Sequence, residues 1–397
     1  MKISLFNHFA VLLLAVTTCF AAASARTAAN SSAEPDASGS YLMYVSTYTV
    51  RESKGIYVYR FKSGRLTPLG ASALAAETLN PSFVAVDPRY RFLYAVNEAE
   101  SFQGQKSGAV SAFAIDRTTG KLAFLNQVAS GGTDPCFVSL DRGGQHVLVA
   151  NYTSGSVSVF PVQRDGRLGP ASAFVQHHGH SVNPERQEGP HAHQILVSPD
   201  NRFALVADLG LDRLFVYRFD SARGTLAPSQ PPSAAVRPGS GPRHFVFDPT
   251  GRFVYLLSEV LSTVTTFSYD PAPGTLHELQ TVSALPADFK GANDAAEIAM
   301  GRSGRFLYTS NRGADSLAVF AIDPKTHTLT PVEHVPTRGK TPRGFAIDPT
   351  GQYLVAANQD TDNIFVFRID PTTGKLTPTG EAVKVSSPVS IVFVPAP

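Results

Sequence analysis

An all-β fold, a seven-bladed β-propeller with four antiparallel strands per blade, is what this sequence predicts, on three observations. One unit recurs six times, starting near Pro81, Pro135, Ala192, Pro242, Ala295 and Pro342, at a spacing of roughly 46 to 57 residues that suits propeller blades. Each unit holds four runs of strand length in which apolar and polar residues alternate. In the first unit they are FVAVD, FLYAV, AVSAFAI and KLAFLNQV, named a to d below. Finally, the chain ends carry complementary fragments. YLMYVSTYT, GIYVYRF and RLTPLGAS near the start are b, c and d without a, and SPVSIVFVPAP from Ser387 is a alone. Together they make a seventh blade, and pairing them closes the ring without unpaired edges at its two loose ends.

Most of the unit has an architectural task. The DPTG and DPRY turns tighten the a–b connection, Pro presetting φ and Gly allowing positive φ. Phe and Tyr of b and c are suited to pack blade on blade. Thr-Gly-Lys-Leu, as at Thr373 to Leu376, makes c–d hairpins. Composition agrees: 31 Gly and 29 Pro, with 26 Phe and 13 Tyr, fit many short strands joined by tight turns. Charged residues are 17% and the net charge is +2, which supports neither a nucleic-acid footprint nor a polybasic membrane anchor.

The N-terminus reads as an export signal over residues 1–25. Lys2 begins it, an apolar run from Phe9 to Ala23 follows, and Ala23-Ser24-Ala25 offers a small-residue cleavage site. Cys19 follows Thr18, a poor lipoprotein box. Residues 26–40 are small and polar and are expected to be a disordered linker, with the propeller over 41–397. The expected location is periplasmic or secreted. The mature chain would keep one cysteine, Cys136, so burial alone must hold the fold.

Repeats permit an internal comparison: scaffold positions agree between copies, and diverted positions differ. Strands a and b are antiparallel, so the start of a and the end of b share one mouth of the central channel. The first position of a reads Ser82, Cys136, His193, Arg243, Ala296 and Arg343; the next reads Phe83, Phe137, Gln194, His244, Glu297 and Gly344. The end of b reads Glu98, Tyr152, Leu209, Glu259, Arg312 and Gln359, preceded by Asn97, Asn151, Asp208, Ser258, Asn311 and Asn358. Three long connections, EAESFQGQKSG, HHGHSVNPERQEGP and LPADFKGANDAAE, are expected to open on the same mouth.

His193 is aimed at the channel by its register and is the expected base. His244 stands at the next position, which alternation turns to the other face. Arg243, Arg312 and Arg343 either neutralise Glu259 and Glu297 or present their planar forks to an anionic ligand. The Asn ring suits strand-end turns, or could offer amide oxygens to a hard cation. HAH lacks a third ligand, so no metal or other cofactor is expected. The expected catalytic set is His193, Glu259, Arg243 and Arg312. His191, His244, Glu297, Arg343, Glu98 and Asn311 are expected to bind substrate.

YVSTYT, QEGPHAH, GPRHFVFDP, DAAEIAMG and SNRGADSLAVF resemble the seven-bladed lactonase family, over about residues 41 to 395. That family includes the propeller type of bacterial 6-phosphogluconolactonase and the fungal carboxymuconate cycloisomerases. The resemblance implies hydrolysis of a sugar lactone without a metal. It places the family's cluster of a histidine, two arginines and a glutamate on His193 (or His191), Arg243, Arg312 and Glu259. An export signal departs from the cytosolic, phosphorylated substrate, so an unphosphorylated aldonolactone stands beside the phosphorylated one as an expected substrate. The expected partner is a small lactone or sugar acid, anionic by the reading of the three arginines, with no nucleic acid and no membrane, and the protein is expected to be a monomer. Cycloisomerisation of an unsaturated dicarboxylate and a non-catalytic binding propeller are the alternatives.

Overall fold

The computed structural model describes residues 39–397. The expected export signal, Cys19 and nearly all of the expected 26–40 linker lie outside the described residues.

Each of the six repeats folds into one four-stranded antiparallel sheet in the order a-b-c-d. In blade 4, for example, the strands are Pro242–Phe247, Phe253–Ser258, Thr263–Asp270 and Thr275–Ser283. The seventh sheet joins the two chain ends, as the fragments predict. Pro388–Pro395 pairs antiparallel with Ser40–Thr47, Tyr41 opposite Pro395 and Ser46 opposite Ser390. One detail differs from the sequence reading. The outer strand of this split blade is two pieces, Arg65–Pro68 and Leu74–Glu77, both paired with Gly55–Lys62. The segment LGAS lies in the turn between them.

The core sits between blades. Among the described residues there are seven apolar clusters, one for each neighbouring pair round the ring. Leu205 and Val216 of blade 3 meet Phe245 and Leu256 of blade 4. The closing pairs are built alike: Leu42 and Tyr44 of the split blade meet Leu93 and Phe113 of blade 1. Tyr41, Phe61 and Phe393 meet Val355 and Val366 of blade 6. Each fully buried side chain of this size contributes roughly 1.5–3 kcal/mol. Seven such seams therefore hold the ring without a disulfide.

At the end of the ring away from the long loops, the a–b turns repeat one hydrogen-bond pattern. Asp248 Oδ1 accepts from the backbone N–H groups of Arg252 and Phe253, both at 2.8 Å. Asp87, Asp141 and Asp348 accept from the residues four and five further on in the same way.

Candidate active site

Strand a starts with an irregularity that alternation cannot foresee. In blade 4 Pro242 pairs with Ser258 and His244 with Leu257, so Arg243 has no partner. The same one-residue shift falls at His193 and at Arg343, and between Ala295 and Ile298 in blade 5. Cys136 and, in the split blade, Val389 are skipped likewise. A bulge inserts an extra residue and re-aims the side chains beside it. Residues from both the first and the second position of a consequently reach one place. Ser82, Cys136, Arg243, Arg343 and Val389 line a small central cavity together with Phe83, His244 and Glu297.

Beside this cavity three guanidinium groups converge on Glu259. Arg243 Nε donates to Glu259 Oε2 at 2.8 Å, and Arg312 Nη2 lies 2.9 Å from the same oxygen. Arg186 Nη2 pairs with Oε1 and, through Nη1, with Asp294 Oδ1 at 3.2 Å. Burial by itself would raise the Glu259 carboxyl; Arg312, Arg243 and Arg186 together outweigh it and bring the pKa to about 2. Glu259 is therefore ionised and occupied on both oxygens, an anchor for the arginines and a poor proton acceptor. Burial brings Arg243 down to about 10, with Arg312 adding to the effect and Glu259 opposing it, which leaves it charged at neutral pH.

The cavity itself is differently equipped. His244 Nδ1 donates to Glu297 Oε1 at 2.9 Å, and that oxygen also accepts from the backbone N–H of Ile298 at 3.0 Å. The other ring nitrogen, His244 Nε2, is buried with no hydrogen-bond partner. Burial lowers the His244 pKa; Arg243 and Arg343 add to this and Glu297 opposes it, so the imidazole is neutral at pH 7. With the proton on Nδ1, Nε2 keeps its lone pair. Phe83 and Phe137 pack edge-on against the ring, at 5.8 and 5.2 Å between centroids. Arg343 lies over the Tyr48 ring at 5.3 Å, and among the described residues no hydrogen bond or ion pair takes up its guanidinium.

His193 sits between the two groups. Its Nε2 is 4.0 Å from Glu259 Oε2, too far for a hydrogen bond, and its Nδ1 is 3.8 Å from Cys136 Sγ. Its ring meets His244 edge-on at 5.0 Å. Burial, then Arg243 and the neighbouring His244, hold its pKa well below the ordinary range. Thus His193, Glu259, Arg243 and Arg312 come together, as do His244, Glu297 and Arg343, and the two groups touch through Arg243 and His193. Glu98 joins through Tyr48, whose hydroxyl donates to both carboxylate oxygens at 3.0 Å.

Two expected residues stand apart. His191 has both ring nitrogens engaged, Nδ1 with the Tyr152 carbonyl and Nε2 with Glu188, each at 3.1 Å, and it stacks on Tyr152 at 4.6 Å. Asn311 is fully buried and donates to the Ala284 carbonyl at 2.8 Å. Asn151 and Asn358 likewise donate to carbonyls of the preceding d–a connection, Ser130 and Thr337, so this ring ties loops to strands.

Two residues escape the sequence reading. Tyr48 is the split blade's counterpart of Glu98: its N–H donates to the Ser387 carbonyl as that of Glu98 does to Asn80. Extending the repeat comparison into the terminal fragments would have found it. Arg186 belongs to the long loop HHGHSVNPERQEGP and has no counterpart in a repeat. Gly210 lets that loop settle onto the ring, since a Cβ there would lie 1.8 Å from the Gly189 carbonyl oxygen. Among the described residues, no group of three or more His, Cys, Asp or Glu is placed to hold a metal ion.

Comparison with known proteins agrees with this architecture. The family model "Lactonase, 7-bladed beta-propeller" matches residues 42–393. The chain is 40% identical over 310 residues to a 6-phosphogluconolactonase of Bacillus subtilis, covering 78% of this chain and 86% of that one. It is 33% identical over 315 residues to a 6-phosphogluconolactonase of Formosa agariphila, covering 78% and 86%. The solved structure of a periplasmic gluconolactonase from Pseudomonas aeruginosa superposes with a TM-score of 0.84 at 37% identity, over 90% of this chain and 100% of that one. This chain therefore belongs to the lactonase family of seven-bladed β-propellers.

Proposed function

We propose that this protein hydrolyses an aldonolactone at the central cavity, with His244 as general base. The observation that carries the reading is the buried, unpartnered Nε2 of His244 facing the same cavity as an unpaired arginine, Arg343. Glu297 holds Nδ1–H and so selects the tautomer whose free lone pair is on Nε2.

The lactone enters with its carbonyl carbon at the cavity and the rest of the sugar on the mouth. Water attacks that carbon, and His244 Nε2 takes the water's proton as the new C–O bond forms. Negative charge moves to the carbonyl oxygen, where Arg343 meets it, with Arg243 behind. Such donors are often worth about 3 kcal/mol each. Glu297 steadies the imidazolium. The intermediate then breaks the bond between the carbonyl carbon and the ring oxygen, and His244 returns the proton to that oxygen. One lactone and one water give one hydroxy acid. Glu259 keeps Arg243 and Arg312 in place throughout, and His193 packs behind the base.

The substrate class follows from charge. Arg186, Arg243, Arg312 and Arg343 are set among Glu98, Glu259, Asp294 and Glu297, a site close to neutral. A dianionic phosphate would need a cation surplus that this set does not offer, so an unphosphorylated lactone is favoured. The export signal expected from the sequence and the periplasmic P. aeruginosa neighbour point the same way. A pH-stat assay over aldonolactones and their 6-phosphates is the test. Acid release above the spontaneous rate is expected, with the larger kcat/KM on the unphosphorylated ring. Spontaneous rates throughout would end the hydrolase reading.

A further inference from the structure

The proposed hydrolysis needs a water held ready, and the cavity wall contains a residue that can hold it. Two buried polar atoms face this cavity with nothing in the protein to bond, His244 Nε2 and Ser82 Oγ, and beside them lies the half-buried Arg343 guanidinium, stacked on Tyr48 and outside every ion pair among the described residues. They come from blades 4, 1 and 6, so the ring brings them together across the channel. Native proteins leave few buried polar groups unsatisfied, and each such group calls for an explanation. Polar cavities of this kind are where proteins keep single waters, which typically make about three hydrogen bonds. The remaining wall offers little competition. Phe83, Val389 and the buried thiol of Cys136 are apolar or nearly so, Glu297 is taken by His244 and Ile298, and Arg243 is turned to Glu259 and the Ala296 carbonyl.

Resting on the hydrolase reading above, we propose that Ser82 is a water-positioning residue: with His244 and Arg343 it holds one enclosed water, and that water is the nucleophile of lactone hydrolysis. The hydrogen-bond inventory closes. The water donates one hydrogen to the His244 Nε2 lone pair, the bond along which the proton later leaves. It accepts from an Arg343 N–H and shares a hydrogen bond with the Ser82 hydroxyl. Its remaining lone pair is free for the carbonyl carbon. Ser82 exchanges no covalent bond; it fixes the direction of attack.

Two measurements test this. The first needs no activity: a crystal structure of the full protein at atomic resolution. A water within hydrogen-bond distance of both Ser82 Oγ and His244 Nε2 is expected; a dry cavity, or one closed by a moved side chain, overturns the site. The second is Ser82→Ala, which removes a hydroxyl that bonds nothing in the protein. kcat is expected to fall roughly 10-fold or more, the loss of one hydrogen bond at the transition state, with KM and Tm unchanged. Wild-type kcat in Ser82→Ala, beside an active wild-type enzyme, overturns the water site and leaves the hydrolase reading intact. No turnover of any lactone by the wild-type protein sinks the hydrolase reading instead. A lactone-derived acyl group found on Ser82 by mass spectrometry of a quenched reaction overturns the proposal in favour of a serine nucleophile.

Discussion

The two ends of this ring obey opposite rules. At the end of the a–b turns, Asp87, Asp141, Asp248 and Asp348 make the same pair of backbone hydrogen bonds in four blades. At the mouth, no two blades present the same pair of residues at the start of strand a. Copies that agree are copies whose residue satisfies its own blade. Copies that disagree place groups whose partners belong to other blades: Arg343 of blade 6 over Tyr48 of the split blade, and His244 of blade 4 against Phe83 of blade 1. Divergence among repeats therefore marks where the molecule acts as a whole ring.

Mutations at the two ends should separate accordingly. The largest effect is expected for His244→Gln, which keeps the size of the side chain and removes the proposed base. kcat should fall by about 10²–10⁴. Tm should stay close to that of the wild type, and steady-state kinetics with thermal melting checks both. A loss below tenfold would return the role of base to His193, so His193→Gln belongs in the same series. Arg343→Ala comes next. It should lower kcat about 100-fold or more, as the loss of one oxyanion donor does, with no ion pair lost to unfold the protein.

Glu259→Gln tests the anchor. It leaves Arg186, Arg243 and Arg312 without their shared counter-charge, and breaking a buried ion pair in this way costs about 3–5 kcal/mol. Denaturant unfolding should show that loss. An intact protein with unchanged Tm would mean that the three arginines hold one another's positions without Glu259.

The pH profile sharpens the choice of base. His244 accepts a proton only while neutral, and burial sets its pKa below the ordinary 6.5. Activity should therefore hold as pH falls through 6.5 and decline only at more acid pH. An acid limb of kcat/KM centred at or above 6.5 would exclude this histidine in the environment described. The smallest effect belongs to the other end of the ring. Asp248→Ala should cost about 2 kcal/mol through lost charged hydrogen bonds, and leave kcat per folded molecule unchanged.

How far the site could be read in advance depends on which rule places each residue. Arg243, Glu259 and Arg312 follow from strand ends that share a mouth, and repeat alignment finds them. The same alignment picks out His244 and Glu297 as substrate binders, but period-2 alternation sends them to the opposite face, and it is a bulge that brings them back beside Arg243. Arg186 rides a loop whose path depends on Gly210 and the ring beneath it. Tyr48 stands in a blade split between the two ends of the chain, where a comparison of whole units does not look.

The sequence by itself determined seven blades, their four strands, the closing pair and the end of the ring at which His193, Arg243, Glu259 and Arg312 gather. Those properties are periodic, and a pattern written along the chain is enough to specify them. Only the tertiary structure decided which imidazole keeps a free nitrogen, which arginine stays unpaired and which hydroxyl shares their cavity. Each of those outcomes depends on a partner present or missing across the channel, and neighbours along the chain cannot supply it.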